Sequence, residues 1–378
     1  MTPASPPALI SARTRFHDLT VGGVEPASDD RTSLALTLLV PPPLRPVFAF
    51  APGQHLTLRT DRAGVDVRRS YSLCSTPGEL LRDGTLRIGV RLLPGGVFGA
   101  HLAAAGAGDT VEALPPLGAF VTAPDPRRRR RYVALAAGSG ITPVLSLATT
   151  VLQTEPQSEF ILLYGNRTAA SAMFLAELAD LKDRHATRLA VTHAYSRDPA
   201  LSAPARFDDA TLRLLLRTAI DVSTVDEWFV CGPYPLVTNG RDTLAALGVP
   251  AGRVRTELFH AARPAPAAEP GPAGGIPTGD DSAGGAAYAL TVLLNGHATE
   301  VLAERGRPVL DAALRARPEL PYSCRTGVCG TCRGRVVSGS VRTPPTWTLG
   351  EDELAAGHVL TCQATAEGDE LTVDFDVF

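Results

Sequence analysis

Four of the six cysteines crowd into the last fifth of the 378-residue chain: Cys324, Cys329, Cys332 and Cys362. The first three read PYSCRTGVCGTC, a C-x4-C-x2-C run, and the fourth follows after 29 intervening residues. Structural zinc favours paired C-x2-C hooks, and only one such pair exists here. A lone thiol upstream of one C-x2-C pair, with a distant fourth, is the plant-type spacing of a [2Fe–2S] cluster. Zinc, or unligated core cysteines, is the alternative. Gly327 and Gly330 let backbone amides turn toward the sulfurs, and such bonds tune the potential. Arg325, Arg333 and Arg335 would favour the reduced, more negative cluster; ordinary solvated loop charge is the competing reading.

Two further motifs bear on chemistry. After an apolar strand comes AAGSGITP, where Gly138 and Gly140 allow close backbone approach to a phosphate. Thr142 is expected to cap the following helix and Pro143 to occupy its first position. A plain tight turn is the alternative. In RRSYSLCS, Arg69 and Tyr71 flank Ser70 and project from one face of an extended strand. A guanidinium beside an aromatic ring suits a pyrophosphate and a flavin ring, although an exposed edge strand reads the same way. The run Arg127–Arg131 is expected to be a solvated turn between domains, with docking of an acidic partner as the alternative. His55, His101 and His185 show no metal spacing and are expected to be ordinary surface or core residues.

The elements that must position these residues imply a multidomain protein. Residues 8–124 show short strands at Ser33–Leu39, His55–Arg59, Leu86–Leu92 and Thr110–Ala113, broken by Pro- and Gly-rich turns: an all-β barrel. Residues 125–260 alternate strand and helix, an α/β parallel-sheet nucleotide-binding domain. Its expected helices are Pro143–Leu152, Ser171–Arg184, Thr211–Arg217 and Leu236–Leu247. Residues 261–287 are a Pro/Gly/Ala-rich linker. Residues 288–378 form a β-grasp ferredoxin domain: a hairpin across Asn295-Gly296, a helix at Val309–Ala316, the cysteine loop, a short acidic helix at Glu351–Ala355, and a strand carrying Cys362. From Ala289 onward 12 acids face 8 arginines, a net of −4 within a chain of net charge −3. That balance argues against a nucleic-acid partner. With no apolar run of membrane length and no secretory leader, a cytoplasmic location without membrane attachment is expected.

In this order, RRSYS, AAGSGITP, YGNR, HAYSR, FVCGP and the cysteine run resemble the ferredoxin–NADP reductase superfamily fused to a C-terminal plant-type ferredoxin. PGQHLTLR, LPYSCRTGVCGTC and LTCQATAEGDELTVDFD extend the resemblance over nearly the whole chain. It implies that Arg69 holds the FAD pyrophosphate, Tyr71 packs on the flavin ring, and Ser70 and Ser72 belong to the same motif, with Ser72 near the reactive flavin nitrogen. Gly95, Gly96, Val97 and Phe98 match the loop under the FAD phosphates, where the family usually has Ser or Thr at the place of Gly99. Gly138, Gly140 and Thr142 match the nicotinamide-nucleotide loop, and Cys231, Gly232 and Pro233 the turn beside the nicotinamide. Glu257 and Phe259 match the end of that domain; Ser72, Cys231 and Glu257 are the implied catalytic set. Ser196 and Arg197 resemble a 2′-phosphate pair, with Arg167 nearby, which favours NADPH over NADH; a surface pair of Arg197 with Asp198 is the bland alternative.

The implied activity is an NAD(P)H-dependent oxidoreductase. Electrons pass from NADPH to FAD, to the [2Fe–2S] cluster, and to the oxygenase component of a multicomponent monooxygenase. The narrowest match is to reductases serving a ring epoxidase of phenylacetyl-CoA. Reductases of other ring-hydroxylating or steroid oxygenases share the architecture, and a redox-sensing or electron-storage module is the reading from another class.

Overall fold

The structure, a computed structural model, describes residues 15–62, 64–198, 205–260, 287–346 and 348–376. Alternating apolar residues first build an antiparallel sheet from β1 (His17–Pro26), β2 (Ser33–Leu39), β3 (His55–Arg62), β4 (Val65–Ser72), β5 (Thr85–Arg91) and β6 (Thr110–Leu117). Their order is β4-β3-β6-β1-β2-β5. An antiparallel bridge between Leu73 and Ile88 links its two edges, so the sheet curls into a barrel. Leu36, Leu56, Leu58 and Ile88 fill the interior, all fully buried.

The second sheet is wholly parallel. It comprises β7 (Arg131–Ala137), β8 (Glu159–Asn166), β9 (Leu189–Tyr195), β10 (Glu227–Pro233) and β11 (Val254–His260), in the order β11-β10-β7-β8-β9. Chain order reverses between β7 and β10. Ligand crevices of open α/β sheets lie at such reversals, beyond the carboxyl ends of the strands. The run RYVALAA gives β7 a nearly continuous buried pattern, as a central parallel strand requires.

The third sheet is mixed and packs against the helix Val309–Ala316. Its strands are β12 (Ala287–Leu294), β13 (His297–Glu304), β14 (Arg333–Ser338), β16 (His358–Leu360) and β18 (Glu370–Asp374), ordered β13-β12-β18-β14-β16. β15 (Val341–Arg342) and β17 (Thr365–Ala366) form a small separate ladder. Asn295 and Gly296 both have positive φ, 56° and 72°, as a tight primed hairpin turn demands. Among the described residues no helix is long and apolar enough to cross a membrane.

Several expectations need correction. Cys362 lies not on a strand but in the turn after β16, which stops at Leu360. The helix expected from Ser171 starts at Leu175, because Thr168 and Ser171 hydrogen-bond each other's amides in a turn and Phe174 sits at φ 60°. The helix after β7 runs from Ile141 to Thr154 with Gly140 as its N-cap, so Thr142 is already inside it and its hydroxyl donates to the Ser139 carbonyl at 2.9 Å. Most of the arginine run is used locally: Arg127 pairs with Asp125, Arg130 with Glu227 and Arg131 with Glu159. The expected linker lies, but for its final residue, outside the described residues.

Candidate functional site

The first two sheets and the cysteine loop of the third domain meet at one point. Ser72 ends β4, Cys231 lies near the end of β10, and Glu257 is its cross-strand partner on β11. The Ser72 hydroxyl donates to Glu257 Oε2 at 3.5 Å, and the Cys231 thiol reaches the same oxygen at 3.8 Å. The implied catalytic set therefore converges. His55, directly opposite Ser72 on β3, joins it with Nδ1 3.8 Å from Glu257 Oε1. A cavity of about 990 Å³ opens here, lined by His55 and Gly118, by Thr256 and Glu257, and by Cys329 and Gly330. That is the size of a cofactor pocket.

Burial sets the charges. It pushes the Glu257 carboxyl up to about 8 and the His55 imidazole down to about 4. At neutral pH both are uncharged, so their approach is a contact of neutral groups and not an ion pair. Burial likewise drives the Cys231 thiol well above its usual range, which keeps it a donor. A native Glu257 holds a proton that the unfolded chain releases above about pH 4.5. Stability from this group therefore falls as pH rises from there and levels off above about 8. His55 has the opposite sign and acts only below its ordinary value of 6.5. In cofactor-free protein, Glu257→Gln is expected to flatten the decline in Tm between pH 6.5 and about 8. A variant with the wild-type slope in scanning calorimetry would contradict a neutral buried carboxyl.

The residues that would hold FAD fit that group. Arg69 is exposed, with Nη1 donating to the Arg68 carbonyl at 2.7 Å, so much of its donor fork is open to an anion. Tyr71 lies 5.9 Å from Phe98, ring to ring. Phe98 belongs to the helix Val97–Ala104, whose N-cap is Gly96 and whose first turn has no side-chain cap. Its free amides suit phosphate. A Cβ at Gly99 would meet Leu92 at an ordinary 3.5 Å, so packing does not exclude a hydroxyl residue there.

The loop after β7 divides its two glycines. Gly138 has φ 54° and nothing within 4 Å of a hypothetical Cβ, an open cradle at the carboxyl end of β7. Gly140 instead abuts β10: its Cβ would lie 2.3 Å from the Cys231 carbonyl oxygen and 3.0 Å from Gly232 Cα. Pro233 is exposed just beyond, and Phe259 packs on the α/β core. Arg167 and Arg197 are both exposed. Their loops are tied by Ser196 N–H to Asn166 O at 2.9 Å and Arg197 N–H to Arg167 O at 2.7 Å. Asp198 accepts the Ala169 amide.

The four thiols suit a cluster. Cys324 Sγ accepts amides from Thr326, Val328 and Cys329, each at 3.4 Å, and its hydrogen bond with Cys329 brings it down to about 5. The sulfurs interact in two pairs, 324 with 329 and 332 with 362, as two irons with two thiolates each require. Cys332 and Cys362 are buried. Thr348 pins the loop through the Gly327 and Val328 carbonyls. Arg333 pairs with Glu353 and Arg335 with Asp374, while Arg325 pairs with Asp311 at 3.1 Å. The remaining cysteine, Cys74, is buried and donates to the Arg87 carbonyl. Sequence reasoning does not single out Thr331, Arg68 or Tyr322 and leaves His55 as ordinary. Only the strand alternation around Arg69 hints that Arg68 and Ser70 face elsewhere.

Comparison with known proteins gives matches in chain order to an oxidoreductase FAD-binding domain (residues 26–122), an oxidoreductase NAD-binding domain (134–242) and a 2Fe-2S iron–sulfur cluster binding domain (292–367). The chain is 39% identical to a component of the 1,2-phenylacetyl-CoA epoxidase of Escherichia coli (strain K12), over 96% of this chain and 98% of that protein. It is 33% identical to the ferredoxin reductase component of 3-ketosteroid-9-alpha-monooxygenase from Rhodococcus rhodochrous, over 94% and 96%. Among solved structures, phthalate dioxygenase reductase shares the fold with a TM-score of 0.55 and 24% identity, over 95% of this chain and 98% of that one.

Proposed function

Because the chain belongs to the ferredoxin–NADP reductase superfamily, in the branch that carries a fused [2Fe–2S] ferredoxin domain, we propose that it supplies electrons from NADPH to an oxygenase acting on phenylacetyl-CoA. The observation that carries this reading is the junction itself: Ser72 and Cys231 both within 3.8 Å of the Glu257 carboxyl, beside a cavity that also touches Cys329. When bound, FAD exchanges a hydride with a nicotinamide and passes single electrons to a [2Fe–2S] cluster. The chain supplies position and electrostatics. Ser72 orients the Glu257 carboxyl, and Glu257 holds a proton at neutral pH at the edge of the cavity. Cys231 and Gly232 back the loop after β7 at the carboxyl end of β10, in close contact with Gly140. The amides around Cys324 offset negative charge on its sulfur. The boundaries we assign are 8–124, 125–260 and 288–378, joined by 261–287. The reading puts the protein in a reducing compartment such as the cytoplasm, where four free thiols can take up iron.

Phenylacetyl-CoA is favoured by the 39% identity to the epoxidase component over the 33% to the steroid monooxygenase component. NADPH is favoured by the exposed guanidinium groups of Arg167 and Arg197 at adjacent strand ends. Arg197→Ala is expected to raise the KM for NADPH about tenfold while changing that for NADH little; equal shifts for both would remove the preference. The test of the whole reading is anaerobic titration of the purified protein with NADPH, followed by turnover with the oxygenase components of the epoxidase. Bleaching of flavin and cluster bands and conversion of phenylacetyl-CoA are expected. A colourless protein, or one whose bands ignore NADPH, overturns the reading.

A further inference from the structure

The β3–β4 hairpin is one strand thick, and its two faces differ. Register pairs Leu56 with Tyr71 and Leu58 with Arg69, with Thr57–Ser70 between them and Arg59–Arg68 just beyond. Since successive side chains alternate, Arg69 and Tyr71 share the face of the buried leucines. Arg68, Ser70 and Thr57 share the other, and that other face meets the cysteine-bearing loop of the ferredoxin domain. Arg68 is only 4% exposed. Its guanidinium donates to the Leu320 carbonyl at 3.1 Å, lies 4.0 Å from the Tyr322 ring centroid, and is held from its own side by Asp66 at 2.8 Å. A desolvated guanidinium that is stacked and hydrogen-bonded across a boundary is an anchor of high specificity.

Beside it sits Thr331, 2% exposed, between Cys329 and Cys332. Its hydroxyl lies 3.2 Å from Thr57 Oγ1, 3.4 Å from Ser70 Oγ and 3.5 Å from His55 Nε2. All three partners belong to the barrel. In the same segment, Arg325 and Thr326 are exposed, and Arg325 lies 4.8 Å from the Tyr322 ring centroid.

We propose that Arg68 and Tyr322 latch the ferredoxin domain onto the outer face of the β3–β4 hairpin, and that Thr331 is the positioning residue that seats the cluster loop against the flavin-bearing strands. This rests on the reading that electrons cross from a flavin on the barrel to a cluster at the four thiols. The hairpin then lies directly against the cysteine loop, and an external acceptor meets the loop at Arg325 and Thr326 without the domain having to leave. The seam is built from hydroxyls, a neutral imidazole, an aromatic ring and one buried cation already paired with Asp66. Salt screens such groups weakly, so transfer within the chain is insensitive to ionic strength.

The test uses the intact holoprotein and the variants Arg68→Met, Thr331→Val and Thr331→Ser. Ferricyanide reduction by NADPH reports the flavin, and cytochrome c reduction reports the cluster. Arg68→Met and Thr331→Val are expected to keep their flavin, iron and ferricyanide rates. They should lose about tenfold in cytochrome c reduction, as small misplacements do in positioned reactions. Thr331→Ser, which keeps the hydroxyl, should be restored. Hydrogen exchange should quicken in residues 66–72 and 318–332 of Arg68→Met and stay unchanged in β7 to β11. Should Thr331→Val shed its cluster, Arg68→Met, whose substitution lies on the barrel, decides; should Arg68→Met lose its flavin, Thr331→Val decides. A wild-type cytochrome c rate in a variant with full cofactors, or unaltered exchange, overturns the proposal. A wild-type protein that reduces neither acceptor overturns the functional reading instead, while the exchange measurement still reports on the latch.

Discussion

Cys332→Ser is expected to remove the cluster absorption and to lower NADPH-driven cytochrome c reduction by about a hundredfold or more, with ferricyanide reduction nearly intact. Cys332 is 2% exposed and pairs with Cys362, so no water or neighbouring side chain can take over its place. Its carbonyl is also the acceptor for both the amide and the hydroxyl of Thr361, the residue before Cys362. The two cysteines are therefore held as a unit across 29 residues of intervening chain, and a serine oxygen in that frame would offer iron a hard and shorter donor. Since ligand binding is linked to folding, thermal unfolding of the ferredoxin sheet should also begin earlier. Iron analysis, the visible spectrum and the two-acceptor assay check this together. Retained bands with a wild-type cytochrome c rate would mean that a different atom carries the iron.

The second large effect concerns a single methyl group. Gly140→Ala is expected to cost about 3 kcal/mol or more and to abolish tight nucleotide binding. The added carbon would meet the Cys231 carbonyl oxygen at 2.3 Å and its carbon at 2.6 Å. Those are backbone atoms of β10, which is paired on both sides by β11 and β7 and cannot yield without disrupting the sheet. Gly138→Ala makes the control: it meets nothing within 4 Å and suffers only from its φ of 54°, a cost of about 1–2 kcal/mol. Urea unfolding of the two variants separates the cases, and equal destabilisation would refute the distinction between crowding and conformation.

The sequence discloses features encoded by local spacing and leaves hidden those made by distant contacts. The C-x4-C-x2-C run names its chemistry because a few residues fix where the sulfurs can go. β2 and the helix Val309–Ala316 fall at their expected bounds, since alternation in one and a 3.6-residue period in the other govern burial directly. Cys362 reads as a strand residue and is not one, because an apolar run, HVLTC, does not tell where a strand yields to a turn. The contacts of Thr331 with Thr57 and His55 span more than 270 positions, and no periodicity reports a partner that far away. Arg68 and Arg69 are the sharpest instance. The resemblance draws the eye to Arg69, whereas the pleat sends its neighbour to the opposite face and into a boundary that only the assembled chain contains.

The placement of β18 bears on biogenesis. Residues 370–374 lie between β12 and β14 at the middle of their sheet, yet a ribosome makes them well after the cysteine loop. Until they emerge, the nascent ferredoxin has two raw edges and no frame for its thiols, while the barrel of residues 17–117 has long been free to close. The ferredoxin sheet is therefore the last of the three that the emerging chain can complete.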